Sequence, residues 1–275
     1  MKISKIRIEK FRSIKYAEFS LNDITAVVGE NNSGKTTILR AINAVLNFDY
    51  EKESFINKQH RFAKKTKTYI SITFSEVPER PYYADKTVSD NLTIEFIYSY
   101  SNDKKRYSIV KGTEKISIDE SFLIDLSKDI SYVYIPAGRT NKDVSWNKQS
   151  ILYELVTSYA AQYTENRDTI SVQVKKATEK IYKSVLNKLE YRINTLYMQN
   201  KTVDFKFGFP DDLDYSILLN EIELSLNEYG SKYNLREWGS GTKSLAVIAM
   251  HRALALLKNR DIVLGIEERT LNPSS

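Results

Sequence analysis

The sequence contains no cysteine, which excludes disulfides, thiolate metal clusters and thiol nucleophiles. Histidine is almost as scarce. His60 and His251 are the only two in 275 residues, too few for a histidine metal site, and both read as structural. No stretch approaches about 18 consecutive apolar residues, so no segment is a candidate membrane span. The N-terminal MKISKIRIEKF alternates apolar and charged residues and lacks the continuous apolar core of a signal peptide, so it reads as a strand. A cytoplasmic protein without membrane contact is the expectation. Between residues 150 and 199 there is neither proline nor glycine. Ile181, Val185, Leu189 and Ile193 recur there at helical spacing, which predicts a helical lobe over about 146–200. About fifty residues at 1.5 Å rise make a short hairpin, not a long coiled-coil arm.

What is present fits an ordinary globular chain: 41% hydrophobic and 28% charged residues. A chain this long can bury a sizeable core without cross-links. The net charge of +6 suits contact with polyanions, DNA among them, although a lysine-rich composition alone gives the same value. His60–Lys67 (HRFAKKTK) gathers positive charge ahead of a predicted strand and reads either as a solvated loop or as a DNA contact.

Alternation predicts strands at residues 2–11, Tyr16–Leu21, Thr68–Phe74, Leu92–Tyr100 and Arg106–Val110, with Ser101–Lys105 as a turn. Continuous apolar runs at Ile24–Val28, Ser131–Pro136 and Ile262–Ile266 predict strands buried on both faces. Further strands are expected at Phe205–Phe209 and Ile217–Asn227, and helices from Lys35 and over Ser240–Leu257.

Three motifs carry chemistry. Gly29-Glu30-Asn31-Asn32-Ser33-Gly34-Lys35-Thr36 fits G-x-x-x-x-G-K-[ST] without a mismatch, between a predicted strand and an amphipathic helix. The glycines let backbone N–H groups turn inward onto phosphates. Lys35 reaches the β- and γ-phosphates, the Thr36 hydroxyl ligates Mg²⁺, and the helix start adds positive potential around Asn31, Asn32, Ser33, Gly34 and Thr37. The run Ile262–Ile266 ends in Glu267-Glu268. Glu267 is assigned to the metal and Glu268 to polarising the attacking water, which requires the strand to end near Glu267. Trp238-Gly239-Ser240-Gly241-Thr242-Lys243-Ser244 opens an apolar helix, either as an anion-binding start or as an ordinary serine cap.

In this order the elements resemble the ABC-type ATPase heads of the SMC and RecF group. Ile6-Arg7-Ile8-Glu9-Lys10-Phe11-Arg12-Ser13 is similar to that group's opening strand, which makes Arg12 and Ser13 candidate nucleotide contacts. Gly239–Lys243 is similar to its signature motif, which implies that Ser240, Gly241 and Lys243 meet ATP held by a second copy of the chain. Tyr134-Ile135-Pro136-Ala137-Gly138-Arg139 and Ile266-Glu267-Glu268 are similar to segments of the OLD family and related anti-phage ATPases. The resemblance implies an α/β P-loop fold of ABC-head type: a mixed central sheet, a flanking antiparallel sheet and a short helical lobe, in one head over residues 1–275. It implies ATP and Mg²⁺ as ligands, a head-to-tail pair, and control of an effector nuclease or toxin protein, or of DNA. A RecF-type repair ATPase and a nucleotide-binding scaffold with little hydrolysis are the alternatives.

The chain departs from the pattern in places. Lys243 replaces a frequent glutamine, and Arg269 replaces a frequent proline. Gln149 and Gln59 are equal candidates for the family's Q-loop glutamine. Leu271-Asn272-Pro273 resembles the start of a dimer-contacting loop, and the switch histidine is expected after Ser275. A cut-down chain, a natural fragment and a head with weak turnover are all compatible with that.

Overall fold

The computed structural model describes residues 1–31, 33–137, 150–162, 164–196, 206–207, 209, 216–219, 224–228, 230–234 and 237–267. Two compact units emerge, Met1–Arg139 with His251–Ser275, and Thr140–Met250.

In the first unit an antiparallel sheet runs in the order β2-β1-β3-β4-β5-β6. Its strands are β1 (Lys2–Phe11), β2 (Ile14–Ser20), β3 (Lys67–Ser75), β4 (Leu92–Ser99), β5 (Lys104–Lys111) and β6 (Glu114–Ile118). The period-2 alternation explains the burial. Ile6, Ile8, Ile70, Ile72, Ile94 and Phe96 all point to one face and are fully enclosed. Register follows, with Ile8 opposite Ile70 and Ile70 opposite Phe96, because a one-residue slip would turn every one of these side chains to solvent.

Two helices, α1 (Lys35–Leu46) and α2 (Phe48–Ile56), follow the phosphate loop. Ala41, Ile42, Ala44 and Val45 form the buried stripe of α1. Phe55 on α2 packs among Phe11, Phe48, Phe96, Tyr98 and His60, with ring centroids 4.5–5.9 Å away. The third helix, α3 (Glu120–Asp129), starts at Asp119, whose carboxylate accepts from the Phe122 N–H at 3.3 Å. It leads into β7 (Ile130–Ile135), which pairs in parallel with β10 (Asp261–Ile266), Tyr134 lying opposite Gly265.

The second unit contains α4 (Ile151–Ala160), α5 (Thr164–Ile181), a π-helical turn at Tyr182–Leu186, and α6 (Asn187–Leu196). The predicted helical interval is therefore present as a broken series. Ile181, Val185 and Leu189 are exposed. Glu190 is buried, accepting from the Tyr182 hydroxyl and from the Phe207 N–H at 2.7 Å. A short helix α7 (Ser216–Leu219) and the hairpin β8 (Ser225–Glu228) with β9 (Ser231–Asn234) follow. Helix α8 (Ser240–Leu257) has the bounds read from the sequence.

Three expectations are corrected. Ile24–Val28 forms no strand, and Ile24 and Val28 are 92% and 88% exposed. An apolar run becomes a central strand only with a ladder partner on its edge, and among the described residues β10 pairs with β7 alone. Ile217–Asn227 is not one strand, because its start lies in α7 and only its end in β8. Of Phe205–Phe209, the described residues 206, 207 and 209 have no regular structure, and Phe205 lies outside the described residues. His60 also leaves the basic stretch: its side chain is fully buried, while Lys64 and Lys65 remain exposed.

Candidate nucleotide site

The loop before α1 turns at Gly34, which caps the helix in the left-handed region at φ 99°. Any Cβ there would be strained, and it would lie 3.6 Å from the Ser13 hydroxyl oxygen. Ser13 is thus brought against the phosphate loop. Arg12 and Ser13 form the two-residue turn between Phe11 and Ile14. Arg12 sits at φ 52°, a conformation that costs a non-glycine residue roughly 1–2 kcal/mol. Its N–H donates to the His60 carbonyl at 2.9 Å, which fixes the turn.

The Lys35 ammonium donates to the carbonyls of Gly29 at 2.8 Å and Glu30 at 2.7 Å, folded back across its own loop. Ser33 N–H donates to Glu30 O at 3.2 Å. Asn31 and Ser33 are exposed on this loop, and Thr37 is buried beneath it. Asn32 lies outside the described residues.

Glu267 follows β10 directly, and its N–H donates to Ile135 O at 2.9 Å. Its Oε1 accepts from the Thr36 hydroxyl, and its Oε2 accepts from the Tyr134 hydroxyl at 2.7 Å. Partial burial pushes this carboxyl up. Hydrogen bonds from Thr36, Tyr134 and the Ala137 backbone, together with the Arg40 charge, outweigh that and hold it below the usual carboxylate range. The Tyr134 phenol is pushed up to about 12 by burial and by its bond to Glu267. The Arg12 guanidinium is lowered by burial and by the neighbouring Arg40 charge. Arg12, in the turn against the loop, and Lys35, folded across it, bring positive charge that favours a polyanion.

Thr36 and Glu267 offer hard oxygen donors, which fits Mg²⁺. Among the described residues no group of three or more His, Asp or Glu side chains forms a metal cluster. Two protein oxygens with phosphates and water completing the shell is a common Mg²⁺ arrangement.

Behind the loop lies a buried polar network that the sequence did not announce. Glu51 accepts from Asn43 Nδ2 at 2.9 Å and from Arg40 at 3.3 Å, and pairs with His60 Nε2 at 2.7 Å. Burial opposes the Glu51 charge, but His60, Asn43 and Arg40 keep its carboxyl below the ordinary range.

The family comparison decides what this loop belongs to: the AAA ATPase domain matches residues 1–195. The chain is a member of the AAA ATPase domain family. The matched residues include the whole phosphate loop, while Ser240 and Glu267 lie beyond them. The OLD nuclease of Thermus scotoductus is 43% identical over 44 residues, 16% of this chain. That match spans only 8% of the nuclease's own length. An SMC head, solved bound to the C-winged helix domain of ScpA, aligns with a TM-score of 0.53. The alignment covers 98% of this chain and 90% of that one at 16% identity. This AAA ATPase domain thus has the fold of an SMC head, the mixed α/β fold that the motifs implied.

Ser240 begins α8 with Gly241 exposed beside it, and the Lys243 N–H donates to Gly239 O at 3.1 Å. Gln59 is exposed in the turn after α2. Glu268, Gly138, Arg139, Gln149, Arg269 and residues 271–273 lie outside the described residues. Among the described residues no helix is long and apolar enough to cross a membrane.

Proposed function

We propose that this chain binds ATP with Mg²⁺ at the Gly29–Thr36 loop and hydrolyses it as one of a head-to-tail pair. The observation that carries this reading is the Thr36–Glu267 contact, a phosphate-loop hydroxyl against the acid that ends a parallel strand. Lys35 exchanges its two loop carbonyls for the β- and γ-phosphates. Arg12 and Ser13 approach the nucleotide from the β1–β2 turn. Thr36 and Glu267 hold the Mg²⁺, whose charge offsets that of the phosphates. Glu268 takes the role of polarising the attacking water.

Ser240, Gly241 and Lys243 serve the ATP of the second copy. The exposed small residues Gly239, Ser240 and Gly241 at the start of the 18-residue α8 support that assignment. The pair then controls an effector nuclease or toxin, or a DNA transaction, in anti-phage defence. The short match to an OLD nuclease supports that branch over the others. The test is hydrolysis per chain across a dilution series, for the parent and for Ser240→Arg. A shared site requires the rate per chain to fall as the pair dissociates, and requires Ser240→Arg to lose turnover while keeping ATP binding. A rate that stays constant down to dilutions containing only monomer would mean a self-contained ATPase.

A further inference from the structure

Tyr134 lies in the apolar run Ser131–Pro136, and with Thr36 its side chain ties the acidic strand end to the rest of the first unit. It lies on β7 opposite Gly265 of β10, and the next residue, Ile135, accepts the Glu267 N–H at 2.9 Å. Its hydroxyl donates to Glu267 Oε2 at 2.7 Å, while Oε1 faces the Thr36 hydroxyl. The two carboxylate oxygens are therefore bound differently, one on the loop side and one on the strand side. The Tyr134 ring is held in turn: the Arg40 guanidinium carbon lies 5.8 Å from its centroid. Arg40 is itself anchored at 3.3 Å to Glu51, a carboxylate fixed by Asn43 and buried His60. A series of contacts thus runs from the aromatic core through Glu51 and Arg40 to the tyrosine and the acid.

A lone glutamate at a strand end has three rotatable bonds, and a metal must find its oxygen in one orientation. Hydrogen bonds to the unligated oxygen of such a carboxylate fix that orientation, and their loss typically weakens metal affinity by about 10–100-fold. We propose that Tyr134 is a positioning residue that holds Glu267 Oε2, so that Oε1 is presented beside Thr36 to the divalent cation. Arg40 and Glu51 brace its ring. This rests on the reading of Thr36 and Glu267 as the metal ligands.

The experiment measures Mn²⁺ binding by electron paramagnetic resonance, with the full chain saturated by a non-hydrolysable ATP analogue. Mn²⁺ shares the oxygen-donor preference of Mg²⁺. Parent, Tyr134→Phe, Glu267→Gln and the double variant are compared, and metal-free affinity for the analogue is measured alongside. Tyr134→Phe keeps the ring under Arg40 and removes only the hydroxyl, and a thermal melt checks that the fold is retained. Mn²⁺ affinity should fall about tenfold in Tyr134→Phe, with metal-free nucleotide affinity unchanged. The double variant should bind no more weakly than Glu267→Gln alone. Parent-like Mn²⁺ binding by Tyr134→Phe, with a loss in Glu267→Gln, overturns the positioning role and leaves the metal site standing. An additive loss in the double variant also overturns it, because Tyr134 would then act other than through Glu267. Parent-like binding by Glu267→Gln removes the metal-site reading itself, and this inference with it.

Discussion

The hydroxyl of Thr36 donates to the carboxylate of Glu267 across 231 residues of sequence. One group opens the helix after the phosphate loop and the other closes a parallel strand. No local propensity brings them together. The β7–β10 ladder carries Glu267 to the level of Ile135, and α1 presents Thr36 there.

Exchanging Glu267 for glutamine should separate nucleotide binding from metal use. Glu267→Gln keeps one acceptor oxygen, for either Thr36 or Tyr134, replaces the other with an N–H donor, and loses the charge that a hard cation requires. ATP affinity in EDTA should stay within about twofold of the parent, while the gain on adding Mg²⁺ should shrink by about tenfold or more. Fluorescent ATP titrations with and without Mg²⁺ read both values, and an undiminished Mg²⁺ gain contradicts the assignment.

Gly265 should resist even alanine. A Cβ there would stand 2.0 Å from the Tyr132 hydroxyl oxygen and 2.7 Å from its Cζ. That hydroxyl donates to Leu39 O at 2.9 Å and ties β7 to α1, so the ring cannot move without breaking the bond. Gly265→Ala should cost about 1–3 kcal/mol, measured as a lower urea midpoint at unchanged slope. A midpoint equal to the parent's would show that the ring yields freely.

Glu51 should make stability depend on acid pH. Its folded value lies below the ordinary 4.5 because His60, Asn43 and Arg40 favour the charged form despite burial. A depressed carboxyl contributes stability that is present above its unfolded value and is lost as pH falls through the folded one. Glu51→Gln should therefore destabilise by about 1.5–3 kcal/mol at pH 7. The difference from the parent should narrow below the ordinary carboxyl value, as the parent's own Glu51 protonates. Urea unfolding at a series of pH values tests this. A gap that stays constant into acid would mean that the charge of Glu51 contributes nothing.

Much of this was legible in the sequence because it is periodic or local. The alternation of Ile70, Ile72 and Phe74, and of Ile6 with Ile8 between irregular steps to Ile3 and Phe11, marks strands half buried in one sheet. The phosphate loop is contiguous, and so is the start of α8. Helix α2 was missed because its buried face includes Glu51, so FDYEKESFI reads as a polar connection. Helix α3 had a signal in the Asp119 cap three residues before buried Phe122 that could have found it. Ile24–Val28 misled because apolarity indicates that a segment should be covered without saying what covers it. Tyr134, Arg40 and Glu51 could not be joined from sequence, since they lie on three elements and meet only through the fold.

The most direct test is calorimetric titration of ATP into the parent chain and into Lys35→Ala. Lys35 contacts its own loop and not the core, so the variant should melt at the parent's temperature. Losing the Lys35 charge-assisted bonds to the β- and γ-phosphates, about 1.5–3 kcal/mol each, should weaken ATP by about 100-fold or more. Saturable binding by the parent and none by the folded variant over the same range is the predicted result. Equal affinity of the two proteins for ATP would contradict the assignment of the Gly29–Thr36 loop as the nucleotide site.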